Sequence, residues 1–131
     1  MIGGNNDNIG NIAGYRLFVK EGILTEKIKV EIAANNGWAD YVFTKDYKLR
    51  PLAEVEKFIA ENGHLPEVPS EKEAIANGIE LKEMNILLLK KVEELTLYTL
   101  QQQKQIDEQQ KRETEQNRRI ELLENRINNT K

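Results

Sequence analysis

The fold class that the sequence predicts is α+β and fibrous: short N-terminal β strands shared in a homotrimer, short helices, then a long C-terminal parallel trimeric coiled coil. Three observations predict it. Residues 15–30 alternate apolar and polar side chains, which is strand periodicity. No glycine or proline occurs after Gly78. A seven-residue apolar repeat runs through that last stretch without a shift in register, as in a left-handed coiled coil.

Composition divides the 131 residues into four regions. Residues 1–14 are a glycine- and asparagine-rich lead-in that we expect to be flexible. Residues 15–50 form a short β region, and residues 51–78 form short helices and a connector that pack on the stalk. Residues 79–131 form the long helix. Because the opening M-I-G-G-N-N-D-N lacks the basic and apolar parts of a signal peptide, we expect a segment cut from a longer protein, with Met1 an added initiator.

The β region contains two strand patterns joined by a turn at residues 20–22. Their apolar side chains are Tyr15, Leu17 and Val19, then Leu24, Ile28 and Val30. Two strands alone do not bury a face stably in water. So short a pair favours strands shared between chains, although pairing within one chain stays open. A further extended segment is predicted from Trp38 to Phe43.

Helical signals begin at Pro51, a residue suited to a first helical turn. The apolar side of the predicted helix consists of Leu52, Val55, Phe58 and Ile59. Asn62-Gly63 ends that helix, and H-L-P-E-V-P follows as a stiff connector. Ser70 with Glu73 predicts a capping box for a short helix that ends at Asn77-Gly78. Beyond it there is room for one helix of about 50 residues, roughly 75 Å long.

With Val92 as position a, the heptad repeat assigns the whole long helix. The a positions are Asn85, Val92, Thr99, Ile106, Glu113, Ile120 and Ile127. The d positions are Leu81, Leu88, Leu95, Gln102, Gln109, Gln116, Leu123 and Thr130. A lone solvated helix with so few apolar contacts would be marginal. We therefore predict that these residues, Thr130 apart, form an interface between chains.

Two features favour a coiled coil of three helices. Arg119 at g, Ile120 at a, Leu123 at d and Glu124 at e match the trimerisation motif Arg-h-x-x-h-Glu, in which the arginine reaches a neighbour's glutamate with two hydrogen bonds. Glutamine at three successive d positions fits the wider axis of a trimer, where amides can bond one another, a water or an ion. Isoleucine at a with leucine at d also suits dimers. Glu113 would bring three carboxylates to the axis.

The first part of the long helix is also apolar outside its seam. The residues concerned are Met84, Ile86, Leu87, Leu89, Leu97, Tyr98 and Leu100. An apolar outer face needs a cover. We expect that cover from Phe58, Ile59, Leu65, Val68 and Ile75, which would give a knob followed by a bare stalk from about residue 101. A membrane-binding face is the rival interpretation, but the broad basic face that favours it is absent.

The remaining features predict no catalysis. The net charge of -3 is mild, there is no cysteine, and no run of about 18 apolar residues could span a bilayer, so we expect neither a nucleic-acid partner nor membrane insertion. His64 and Ser70 are the only histidine and serine. A connector hydrogen bond and a helix cap explain them better than a nucleophile or a metal ligand. Asp40, Asp46 and Glu54 are best explained as solvated charges.

We therefore predict no enzyme activity, no catalytic residue, no cofactor and no metal site, although a trimer axis could still gather three copies of a ligand. Trp38, Tyr41, Phe43 and Tyr47 form an aromatic cluster that is best explained as core of the knob. The other interpretation of the cluster is a receptor or glycan contact through Trp38, Tyr41 and Tyr47.

Two stretches carry a resemblance to a known family. One stretch resembles a C-terminal module of Bacteroidota proteins described as tail-fibre-like, phage-associated or cell-surface proteins. It reads W-A-D-Y-V-F-T-K-D-Y-K-L-R-P-L-A-E-V-E-K-F-I-A-E-N-G-H-L-P-E-V-P-S, then N-G-I-E-L-K-E-M-N-I-L-L-L-K-K-V-E-E-L-T-L-Y. Upstream, Y-R-L-F-V-K-E-G-I-L-T-E-K-I-K-V is similar to the strands that precede intramolecular chaperone domains of trimeric tail fibres. The usual form of those strands is closer to Lys-Leu-x-Val-x-Gly-x-Ile. This chain departs from it at Glu21, which precedes the glycine, and at Phe18, which lies between the apolar pair.

The resemblance implies a trimeric end-piece of a fibrous protein. The function predicted from it is a chaperone-like, C-terminal trimerisation and assembly module of a phage tail fibre or related surface fibre, holding three chains in register. The alternative is a tip that binds a cell-surface glycan or protein receptor for host attachment. The expected partner is the chain itself, and the expected location is extracellular, on a virion or a bacterial cell surface.

Overall fold

The structure is a computed structural model that describes residues 14–15, 17–31 and 37–130. The elements are a 3-10 helix, Ala39–Phe43, then three α-helices: α1, Leu52–Asn62; α2, Glu71–Asn77; and α3, Leu81–Asn129. The chain divides into two compact units, Met1–Glu31 and Ile32–Lys131. These four helices belong to the second unit.

The α+β prediction is wrong. The described residues are 65% helix and 1% strand, and the described part of residues 14–31 holds a single bridge residue, Val19, instead of the two predicted β strands. Leu17, Ile23 and Leu24 are exposed there. Alternation alone does not make a strand, because a two-stranded ribbon without a covering layer is marginal in water. The lead-in lies outside the described residues, apart from Gly14.

The segment from Trp38 to Phe43, predicted to be extended, is the 3-10 helix. Side chains three residues apart lie on one side of such a helix. This places Ala39 and Val42 together, and they are 0% and 1% exposed. The 3-10 helix packs against α3. A spacing of three between two small apolar residues therefore decides the local conformation over the strand propensity of the aromatic residues.

Helix α1 has the ends that the sequence predicts. It follows Pro51 and stops at Gly63, whose left-handed φ of 75° is open to glycine at little cost. Its apolar side is not buried within the described chain, since Leu52 and Ile59 stay exposed. Helix α1 and α3 are both described in full, and no Cα atom of one lies within 8 Å of a Cα atom of the other.

The connector after α1 contains a tight turn in an unusual conformation. The backbone N–H of Val68 donates to the carbonyl of Leu65 at 3.2 Å. Pro66 and Glu67 are the two central residues of this turn. Glu67 has a φ of +68°, which a type II turn requires at that position and which glycine usually supplies. Its carboxylate offsets this strain by binding Lys90 and Lys91 of α3, at 2.5 and 3.1 Å.

The capping box predicted for α2 is confirmed. The backbone N–H of Glu73 donates to the Ser70 hydroxyl at 3.3 Å, and the Ser70 N–H donates to the Glu73 carboxylate at 2.9 Å. These bonds lower the pKa of Glu73. The helix ends at Gly78, also as predicted.

Helix α3 is the long helix predicted after Gly78. Its 49 residues extend roughly 73 Å at 1.5 Å per residue. Every residue from Gln101 to Thr130 is exposed. In the described part of the chain only Ala39, Val42, Pro66 and Glu93 are buried. The aromatic residues expected to form the core of the knob do not: Trp38, Tyr41 and Phe43 are exposed, and Tyr47 is half-buried.

The strained turn leads to a stability prediction. Replacing Glu67 by alanine removes the ion pairs and keeps the unfavourable φ, whereas glycine removes both. We expect Glu67→Gly to be more stable than Glu67→Ala by about 1 kcal/mol, although glycine ordinarily destabilises a chain relative to alanine. Urea unfolding, monitored by circular dichroism, measures the difference in stability between the two variants. Equal stability of the two variants would contradict a strained Glu67.

Candidate functional site

The a and d residues of α3 form a line of exposed apolar side chains along the whole helix. We call this line the seam. Its apolar members are Leu81, Leu88, Val92, Leu95, Ile106, Ile120, Leu123 and Ile127, which are 47–63% exposed. Exposed apolar side chains are common one at a time, but eight aligned at heptad spacing are typical of a helix that meets another helix.

The opposite side of α3 is covered where the sequence predicts a cover. Six of the seven outer apolar residues are half-buried, and Leu100 is exposed. The element that packs closely on α3 is the 3-10 helix. Helix α1, from which part of the cover was expected, does not pack closely on α3. From Leu81 to Tyr98 the helix therefore has one covered face and one exposed face, and the exposed face is the seam.

The polar members of the seam are exposed as well. Asn85 donates from its side chain to the Leu81 carbonyl at 2.7 Å, and the Thr99 hydroxyl donates to the Leu95 carbonyl at 2.9 Å. The other polar members are Gln102, Gln109, Glu113 and Gln116, all exposed. They separate two apolar clusters, one near Val92 and one near Ile120.

The motif residues Arg119 and Glu124 lie on either side of the seam in its last apolar cluster. Both are exposed, and neither has an ion-pair partner within the described part of the chain. Their positions at g and e put them five residues apart on one helix, on opposite flanks. This arrangement leaves both charges accessible to another chain.

A groove of about 570 Å³ runs beside the seam, between α1 and α3. We call it the α1–α3 groove. Its apolar lining consists of Leu52, Val55, Leu65, Pro66, Leu88, Val92, Leu95 and Tyr98. Three of these residues belong to the seam, so the groove and the seam are one continuous surface. The sequence analysis missed this groove, because it assumed that α1 packs directly on α3.

A polar cluster joins the segments before and after α1 to α3. The Tyr47 hydroxyl donates to the Glu94 carboxylate, and Lys91 binds Glu94 at 2.9 Å. The Tyr98 hydroxyl donates to the Arg50 carbonyl at 2.5 Å. Because Lys91 also binds Glu67, as described above, two carboxylates share one ammonium group. These bonds fix the walls of the α1–α3 groove at both ends.

The charges of this cluster shift its pKa values. Burial alone would raise the pKa of Glu67, but hydrogen bonds from Lys90 and Lys91 outweigh it and hold that pKa below its usual value. Burial raises the pKa of Tyr47, and the hydrogen bond to Glu94 raises it further. Glu67 is thus an anion at neutral pH. The sequence signal at this place is Pro66, which suits the second position of a turn but does not indicate the positive φ of Glu67.

Glu93 is the buried carboxylate of α3 and faces the covered side. It is 8% exposed, and its Oε2 has no hydrogen-bond partner among the described residues. Burial, followed by the nearby charge of Asp40, raises its pKa. A carboxylate in this environment opposes folding at neutral pH.

The three predicted receptor contacts lie in the 3-10 helix or close to its ends. The rings of Tyr41 and Tyr47 are 5.8 Å apart, and the Lys90 ammonium lies 6.0 Å from the Tyr41 ring centre. Trp38 precedes the 3-10 helix and is 49% exposed. Tyr47 is committed to Glu94, so Trp38 and Tyr41 are the members that offer ring surface to solvent.

The residues considered for catalysis have structural contacts. The ring of His64 meets Phe58 edge-on at 5.6 Å, and its Nδ1 lies 2.9 Å from the Leu65 carbonyl. The described residues contain no group of three or more histidine, aspartate or glutamate side chains that could hold a metal ion. No helix among them is long and apolar enough to cross a bilayer.

No protein-family model, curated protein or solved structure matches this chain. The seam and the α1–α3 groove are therefore interpreted from their own chemistry.

The buried Glu93 predicts a dependence of stability on pH. A carboxyl whose folded pKa is raised contributes stability below its unfolded pKa of about 4.3 and loses it as pH rises through the folded value. We therefore expect Glu93→Gln to have a higher Tm than the natural chain at pH 7, and the difference to shrink toward pH 4. Exposed Glu108, changed to glutamine, is the control and should leave Tm unchanged at both pH values. A lower Tm for Glu93→Gln at pH 7 would show that its carboxylate has a stabilising partner.

Proposed function

We propose that the chain is the C-terminal trimerisation and assembly module of a phage tail fibre or a related surface fibre. In this role, α3 of three identical copies winds into a parallel coiled coil through the seam and holds the chains in register. The proposal places the module outside the cell, on a virion or a bacterial surface. The observation that carries it is the exposed seam, which extends along the whole of α3 and lies opposite a covered face from Leu81 to Tyr98.

The energy available from the seam supports association. Fully burying a leucine or isoleucine side chain contributes about 1.5–3 kcal/mol. Covering the exposed half of the eight apolar seam residues then contributes roughly 6–12 kcal/mol per chain. The cost of association is about 4–15 kcal/mol. A trimer has three such contributions and two association steps, so gain and cost remain similar, and we expect assembly to need both apolar clusters of the seam.

The charges beside the last apolar cluster of the seam, near Ile120, favour a coiled coil of three helices. Arg119 and Glu124 have no ion-pair partner among the described residues of their own chain, and a trimer places the arginine of one copy next to the glutamate of another. The three glutamines at d support the same number, since a trimer axis leaves room for their amides. In this assembly the outer charges of the stalk remain in water.

A second candidate function is recognition of a cell-surface glycan or protein by the knob. It is favoured by one observation, the exposure of Trp38 and Tyr41, which sequence analysis assigned to the core. Aromatic rings open to solvent are typical contacts for sugars and for protein partners. The assembly function rests on a surface that extends over the whole of α3, and it is therefore preferred.

The oligomer is tested by its mass. Light scattering of the purified chain should give three times the chain mass of 15.1 kDa. Leu123→Asp, at a d position, should weaken assembly by about a hundredfold or more, because each of three copies loses roughly half of the 1.5–3 kcal/mol that full burial of a leucine contributes. Leu122→Asp is the matched control. Leu122 is 58% exposed against 55% for Leu123 but lies off the seam, so the control should remain trimeric.

A folded monomer at all concentrations would overturn the proposal. Equal effects of Leu122→Asp and Leu123→Asp would show that the surface is merely apolar and that the heptad register is not used.

The two candidate functions are separated in the fibre protein that the proposal requires, by deleting residues 79–131. If the module assembles the chains, we expect the trimeric fibre to be lost, which native gel electrophoresis detects. A fibre that still assembles but no longer adsorbs to cells would instead favour the receptor function. The change Trp38→Ala with Tyr41→Ala is the complementary variant and should leave the trimer intact.

A further inference from the structure

The α1–α3 groove is an open apolar surface whose occupant the assembly function does not by itself identify. Helix α1 turns Leu52 and Val55 toward the groove, but the two helices stay too far apart for their side chains to fill it. Leu52 is 46% exposed, and so is Leu65, at 44%, on the connector. An apolar surface left open in this way needs a partner of the same chemistry.

The far wall of the groove identifies the partner. Leu88, Val92 and Leu95 line the groove and are also consecutive apolar residues of the seam. Any helix that lies on the seam at this height therefore also lies along the open side of the groove. A second copy of α3 is the helix that the assembly function supplies.

The heptad positions indicate which flank of that helix enters. Lys91 and Tyr98, which line the groove, occupy g positions of α3. In a parallel coiled coil the g flank of one helix faces the e flank of its neighbour. The e residues that face these two g residues, each five positions further along the neighbour, are Thr96 and Gln103, and both are exposed in their own chain. Both are uncharged, which suits a groove whose lining is mainly apolar.

The charges at the rim of the groove are already paired within the chain. Lys91 binds Glu67 and Glu94, and Glu94 also accepts the Tyr47 hydroxyl. A charged ligand would have to compete with these bonds. A neutral helix flank can cover the rim without breaking any of them.

We propose that the α1–α3 groove of each copy receives the e flank of α3 from a neighbouring copy, around Thr96 and Gln103. This inference rests on the proposed trimer, which it deepens by assigning α1 a role in the interface. Helix α1 then packs on the neighbour's α3 rather than on its own. Each knob thus clasps the helix of the next chain around the axis.

The test uses the absence of cysteine from the natural sequence. Val55→Cys places one thiol inside the groove, and Ala53→Cys, on the exposed side of α1, is the matched control. Each is made in the full chain and in the Leu123→Asp chain, whose mass is measured in the same buffer. The rate of reaction with Ellman's reagent is then compared between the assembled and the dissociated state.

The thiol of Val55→Cys is expected to react about tenfold more slowly in the trimer than in the Leu123→Asp monomer, because the neighbour's helix covers it. The thiol of Ala53→Cys should react equally fast in both states. A trimer in which the Val55→Cys thiol reacts as it does in the monomer would overturn the inference and leave the assembly function intact.

Two further outcomes are decisive. Equally slow reaction of the Val55→Cys thiol in both states would show that the groove closes within one chain or around a small molecule, which also overturns the inference. A natural chain that is monomeric, or a Leu123→Asp chain that stays trimeric, would overturn the proposed interface and this inference together.

Discussion

One constraint governs this molecule: α3 has more apolar surface than the described part of its own chain covers. The 3-10 helix covers one face through Ala39 and Val42, and no other element of the described chain packs closely on α3. From Gln101 to Thr130 every residue of the helix is exposed. Helices in proteins gain most of their stability from packing of an apolar face. In the proposed assembly the stalk gains its stability from another chain, through the seam.

The knob is held together mainly by polar bonds instead of a core. Glu67 bridges two lysines of α3, Tyr47 binds Glu94, and Tyr98 binds the backbone of Arg50. Such bonds fix geometry with little buried area, since a hydrogen bond has a direction that apolar contact lacks. This explains how the connector can hold a strained residue and how α1 can stand away from α3 without collapsing onto it.

The parts of the fold that sequence predicted are those that depend on local signals. Gly63, Gly78 and the Ser70–Glu73 capping box fix helix ends through residues at most four positions apart, and the heptad repeat fixes the face of α3. The strands and the extended segment at Trp38 were wrong, because alternation is a weak signal without a covering layer. The Glu67–Lys90 pair joins residues 23 positions apart, and no local pattern reveals such a contact. The seam was therefore predictable and the groove beside it was not.

The open space between α1 and α3 and the exposure of the seam are linked by geometry. A helix packed closely on the g side of α3 would occupy the volume that a neighbouring helix needs in order to reach Leu88, Val92 and Leu95. The same volume left empty would expose the apolar linings of both helices to water, which costs free energy in proportion to the apolar area. A chain that keeps this volume open, with polar bonds anchoring both of its ends, is arranged so that the missing side chains come from outside. In the proposed trimer, association completes the interior of the knob and the seam in one step.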